Sequence, residues 1–319
     1  MTAVRQAGTL AGALGAILAA GLLAQGLAPY GVYLLSLWAV YTVAAIGLNL
    51  TLGYAGQISL AQAAFVGIGA YTTAILLPHG VPFGATLLAG AAISFALGVL
   101  LGFPALRVQG HYLAFVTLAL TTLAFLVFRN ESWLTGGVGG ISHIARPAPF
   151  TSGRGYNLLC LGVLALVSFA VWWLLRSPWG RAFVALRENP VRAASLGVDV
   201  RAYTLLAFAI GAALGGVSGA LYAPLVQYVE PSPFALAFSL SLLMMVVVGG
   251  SGSFLGPYVG ALVAVLLPEW LRFLHDYYLV LYAALVILLL IAAPEGLVGL
   301  AARGLRRRPQ GHPAAEAKP

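Results

Sequence analysis

Charge is what this chain lacks most. Its 16 Lys and Arg and 8 Asp and Glu make up 8% of 319 residues, where a soluble domain carries ~25%. Arg5 and Arg107 enclose 101 residues without a single charge, so no water-facing surface can be assembled from that stretch. Lysine is scarcer still. The only one is Lys318, next to the C-terminus, which excludes a GxxxxGK[ST] phosphate loop and a membrane-embedded Schiff base. The single Cys160, inside the apolar run 158–172, excludes an internal disulfide and CxxC metal spacing, and reads as a small core side chain.

Acids are absent from where proton coupling would need them. Glu131, Glu188, Asp199, Glu230, Glu269, Asp276, Glu295 and Glu316 all stand at segment ends or in loops, as do the five His at 79, 111, 143, 275 and 312. Buried ionisable groups mark ion relays in membranes, and none is placed for that here. No HExxH, paired-acid, Ser/His or Cys/His set lies within an apolar run, so neither a catalytic nor a metal site is expected. Sodium held by backbone carbonyls stays open.

Hydrophobic residues, by contrast, make up 61% of the chain, and mean hydropathy is +0.98. The expected fold is all-α: a polytopic membrane bundle of about ten segments, at ~20 apolar residues per crossing. They run 8–27, 32–50, 58–77, 84–105, 111–128, 156–175, 202–224, 234–248, 256–273 and 277–293. The first exceeds a signal peptide's apolar core and reads as a retained span. Pro268 and Glu269 weaken the ninth, which could be a half-span or re-entrant piece. With Arg5 in the cytoplasm, twelve cations fall inside and four outside. That split obeys the positive-inside rule and places both termini in the cytoplasm. The net charge of +8 is thereby explained by membrane orientation and lipid headgroups, with no basic stripe for nucleic acid. Residues 1–302 form one transmembrane domain, and 303–319 a basic tail expected to be disordered.

Small residues recur every fourth position in Gly211/Gly215/Gly219, Gly252/Gly256/Gly260, Gly8/Gly12/Ala16 and Ser59/Ala63/Gly67. Such faces let helices approach closely, within a subunit or between subunits. Polar side chains cluster in two places. Asn49, Gln57, Ser59 and Gln62 surround the helix-weakening Gly53 and Gly56, and Ser59 and Gln62 share a face if the segment is helical. An interrupted helix can bind a substrate carboxylate through free N–H groups, while the plainer alternative is interhelical hydrogen bonding. Thr117 and Thr121, four apart, either join that pathway or bond back to their own helix. The glycine runs 136–140 and 249–253 do not complete GxGxxG and do not bind nucleotide.

The loop 176–201 is unusually well punctuated. Ser177-Pro178 opens a helix through Glu188, Asn189-Pro190 opens a short second one to Leu196, and Gly197 closes it. At 1.5 Å per residue the second is ~10 Å long, a stub that needs a partner to be stable. The plainer reading is a solvated connector.

The run Gly180–Gly197, followed by Tyr203–Phe208, resembles the cytoplasmic coupling segment of the branched-chain amino acid ABC-transporter permeases. Gly53-Tyr54-Ala55-Gly56-Gln57-Ile58-Ser59-Leu60-Ala61-Gln62-Ala63-Ala64-Phe65 is similar to that family's early motif, and Gly249–Ser253 and Pro294–Leu297 to its C-terminal signatures. Two departures are Val191-Arg192-Ala193 in place of Glu-Ala-Ala, and Thr204 in place of Lys. The resemblance implies a permease subunit in a prokaryotic inner membrane. Its implied partners are a second homologous permease, two cytoplasmic ATPases that carry ATP and Mg, and an extracytoplasmic binding protein. It further implies that Arg187, Glu188, Asn189, Pro190, Ala193 and Gly197 form the coupling element, and that Gln57, Ser59 and Gln62 border the pathway. Substrate could be a branched-chain or related amino acid. The alternative is an autonomous channel for a small neutral solute such as urea or a short amide, which would have no use for a capped docking loop.

Overall fold

The computed structural model describes residues 3–105, 111–271 and 296–300. Nine main helices follow the first nine expected segments: α1 (Ala3–Gly26), α2 (Pro29–Asn49), α3 (Gln62–Leu76), α4 (Phe83–Ala105), α5 (His111–Asn130), α7 (Gly153–Arg176), α10 (Val200–Val226), α11 (Leu236–Gly249) and α12 (Gly256–Leu271). Between them lie the one-turn α6 (Ser132–Thr135) and the loop helices α8 (Pro178–Glu188) and α9 (Pro190–Ser195). Among the described residues, six helices are long and apolar enough to cross a membrane, while α3, α11 and α12 are shorter apolar helices. The segment 277–293 and the tail 303–319 lie outside the described residues. α12 runs unbroken through Pro268 as far as Leu271, and its end meets the start of α2, where Tyr30 donates to Glu269 at 2.8 Å.

α10 and α2 are the most buried of the long helices. Glycine puts them there. A Cβ at Gly211 would fall 2.8 Å from the Gly47 carbonyl on α2, and one at Gly219 would overlap Val66 O on α3. Gly216, Gly69 and Gly90 bring α10, α3 and α4 together at one level, again backbone against backbone. The 211/215/219 face is therefore internal packing, as is Gly67 against Phe128 and Phe234. The Gly8/Gly12/Ala16 face of α1 is exposed, and a Cβ at Gly8 would meet no other part of the described bundle within 4 Å. Hydrophobicity does not drive helices together in lipid, so this close contact of small residues supplies the packing energy instead.

The two ends of the bundle differ. One carries the antiparallel ribbon β1 (Ile141–Ser142) and β2 (Tyr228–Val229), with Ile141 opposite Val229. The other carries α8 and α9. Ser177 caps α8 by accepting from Trp179 N at 3.2 Å, and Asn189 caps α9 by accepting from Arg192 N at 3.0 Å. Gly197 follows at φ 84°, the left-handed conformation that ends a helix at a glycine. An Asn189→Ala variant is expected to lose about 1 kcal/mol of local stability. Hydrogen exchange across 190–197 should then speed up roughly fivefold, with no change elsewhere.

Candidate functional site: a junction beneath the capped loop

The segment after α2 departs from the expected helix 58–77. α2 continues through a π-helical turn, Leu50–Tyr54, in which Ala55 N reaches Leu50 O at 3.1 Å. Gln57 N then bonds Thr51 O at 2.9 Å, and Gly56 at φ 71° turns the chain back into the bundle. Helix resumes only at Gln62, so Ser59 and Gln62 do not share a helical face. π-turns are uncommon and are frequent at functional sites.

Each polar side chain singled out from the sequence can now be placed. Asn49 is buried, accepts from Gly252 N at 2.8 Å and donates to Ser253 O at 2.9 Å, tying the end of α2 to the Gly249–Ser253 turn. Gln57 is half-buried in the irregular segment. Ser59 is buried and accepts from Ala61 N at 3.2 Å. Gln62 is buried, and its Nε2 donates to Ala44 O and Gly211 O, each at 3.1 Å, joining α2, α3 and α10. Thr117 accepts from Leu60 N at 2.9 Å while Thr121 donates to Leu60 O at 2.6 Å, so α5 holds both backbone polar groups of one residue of the broken segment. Both Thr also bond back to their own helix, at Leu113 O and Thr117 O.

The start of α3 is likewise occupied from within the chain. Ser239 on α11 accepts from Ala63 N at 3.0 Å. Sequence reasoning passed over Ser239, whose only signal is a hydroxyl inside the apolar run 234–248. Replacing both Thr117 and Thr121 by Val is expected to cost about 1 kcal/mol, two interhelical hydrogen bonds at ~0.6 each. Reversible denaturant unfolding in detergent measures it, and a cost above ~3 kcal/mol would show that the clamp organises far more than Leu60.

The loop helices sit directly below this break. Phe183 of α8 is fully buried with Leu50, Ala55 and Ala207, and its ring meets Tyr203 edge-on at 6.4 Å. In the last turn of α8, Arg187 Nη1 donates to Gly53 O at 2.6 Å. Gly56 lies under the Arg187 backbone, where a Cβ would come 3.2 Å from Arg187 Cα. Gly252, at φ 75°, leaves room for the same guanidinium, and Gly296, at φ 76°, packs against Gly250. Of the other loop residues, Glu188 is exposed, Pro190 opens α9, and Ala193 is the buried residue within α9. Val191 and Leu196 are 79% and 82% exposed, two aliphatic side chains projecting from a capped, anchored element.

Four sequence motifs far apart in the chain thus meet at one end of the bundle: the glycine-glutamine run, the loop 180–197, the 249–253 turn and Gly296. The family profile described as "Branched-chain amino acid transport system / permease component" matches residues 30–292. The chain belongs to that permease family. It is similar to the high-affinity branched-chain amino acid transport system permease protein LivM of Escherichia coli K12, at 34% identity, over 81% of this chain and 68% of the relative. A probable LivM of Methanocaldococcus jannaschii is 26% identical, over 75% of this chain and 71% of the relative. The autoinducer 2 import system permease protein LsrC of Enterobacter sp. 638 is 27% identical, over 67% and 66%. No solved structure matches. The apolar helices and the family together make the chain a multi-pass membrane permease component.

Proposed function

We propose that this permease is the membrane subunit of an ATP-driven importer for branched-chain or related amino acids, working by alternating access. Ten crossings place both termini and the loop 176–201 on the cytoplasmic side of a prokaryotic inner membrane. A second homologous permease completes the membrane unit, two ATPases carrying ATP and Mg dock below it, and a binding protein delivers solute to the opposite face. ATP-driven closure of the ATPases moves α8 and α9, and the bundle rocks between outward and inward openings.

The observation that carries this reading is the exposed pair Val191 and Leu196 on a helix capped at both ends and fixed to the bundle through Arg187. Two large aliphatic side chains about four-fifths exposed on an ordered loop helix suit contact with a soluble partner. The named relatives support amino acid import, and LsrC, whose name concerns autoinducer 2, shows that substrate varies among related permeases.

Reconstitution tests it. Proteoliposomes holding the permease pair, its ATPases and loaded binding protein should accumulate leucine only with ATP and Mg. Uphill accumulation by this polypeptide alone would end the proposal.

A further inference from the structure

We infer that Arg187 is a positioning residue acting inward: it staples the last turn of α8 to the π-turn of α2 and so delivers movement of the docking loop to the broken segment 50–61. This rests on the permease reading above and adds to it the route by which force enters the bundle.

The guanidinium of Arg187 is seated on the π-turn. Nη1 donates to Gly53 O at 2.6 Å, a hydrogen bond from a charged donor, roughly twice as strong as a neutral one. Gly53 lies in the π-turn, where the regular ladder of α2 is already disturbed. Glycine surrounds the seat on each side. A Cβ on Gly252 would overlap Nη1, one on Gly56 would crowd Arg187 Cα, and one on Gly53 would overlap Asn49 Oδ1 and Gly252 N. The rest of the Arg187 side chain stays exposed, and the three glycines leave room for its contact with Gly53.

From Gly53 the connection continues in both directions. Asn49 links the π-turn to Gly252 and Ser253 before α12, and the chain from Gly56 runs to Leu60, whose N–H and carbonyl are held by Thr117 and Thr121 on α5. α9, the exposed part of the loop, follows Arg187 within three residues. A displacement of α9 therefore pulls on a hydrogen bond to the one turn of α2 that is not regular helix, and through it on α5 and α12.

Three variants test this. Arg187→Ala should lower solute moved per ATP hydrolysed in the reconstituted assembly at least tenfold while the ATPases still co-purify. Arg187→Lys, which keeps one donor and the charge, should recover part of the ratio. Gly252→Ala puts a methyl onto Nη1 and 2.7 Å from Gly53 O, displacing the guanidinium from its acceptor without changing a residue of α8. It should reproduce the Arg187→Ala defect, and the double variant should be no worse than either single one, the signature of two residues in one interaction. A residue that merely stabilised the fold would change yield and leave the transport-to-ATP ratio alone.

Hydrogen exchange in the isolated chain supplies a readout that needs no partner: the amides of Ala55 and Gln57 should exchange at least tenfold faster in Arg187→Ala. An unchanged ratio, unchanged exchange at 55–57, or loss of ATPase co-purification in Arg187→Ala would each overturn the inference. Failure of the wild-type assembly to accumulate leucine with ATP, alongside faster exchange in the variant, would count against the permease reading and leave the staple standing.

Discussion

Replacing Val191 and Leu196 together by Asp is expected to abolish co-purification of the ATPase subunits and, with it, ATP-dependent uptake. Burial of an aliphatic side chain contributes about 1.5–3 kcal/mol, so losing two removes about 3–6 kcal/mol from the contact. That alone weakens binding by roughly two to four powers of ten, before the cost of burying two carboxylates. The fold should survive. Both residues are about four-fifths exposed, Leu196 caps the end of α9 through its backbone N–H alone, and Asn189, Ala193 and Gly197 keep α9 in place. Yield and unfolding midpoint in detergent should match the parent, and an undiminished pull-down would remove α9 as the docking element.

Gly219→Ala is expected to have the largest effect on stability. The added methyl would overlap Val66 O and crowd Ala70 N on α3, and helix backbone cannot swing aside as a long side chain can. α10 and α3 must separate, at about 3 kcal/mol or slightly more, the upper part of the range for overpacked cores. Reversible denaturant unfolding in detergent measures it. Gly8→Ala is the matched control. With nothing within 4 Å of the new methyl and alanine's higher helix propensity, it should stay within about 1 kcal/mol of the parent. A Gly219→Ala variant as stable as Gly8→Ala would show that helix propensity, not close approach, governs this bundle.

These contrasts explain how much could be read from residues alone. Apolar length and glycine punctuation locate nine helices to within a few residues, and the Ser177-Pro178 and Asn189-Pro190 signals place α8 and α9 almost to the residue, because capping is local chemistry. The sites were less legible. Whether Gln62 faces a pathway or a neighbouring carbonyl depends on its azimuth, and that depends on where the helix restarts. α2 ran five residues past Asn49 as a π-turn, and α3 began four residues later than expected, which rotated the whole set. Gln62 and Thr121 each bond distant backbone, a choice set by tertiary approach rather than by residue type, while Ser59 bonds Ala61 N two residues on. Arg187 shows the same limit. A cation in an aqueous loop reads as outward-facing until Gly53, 134 positions earlier, is seen beneath it.

The meeting of α2, α3, α4 and α10 through bare peptide carries one more consequence. Where Gly47 faces Gly211 and Gly69 and Gly90 both face Gly216, no bore fits between these four helices. On the importer reading proposed above, solute therefore passes beside this knot and not through it, and the second membrane subunit proposed there supplies the facing wall.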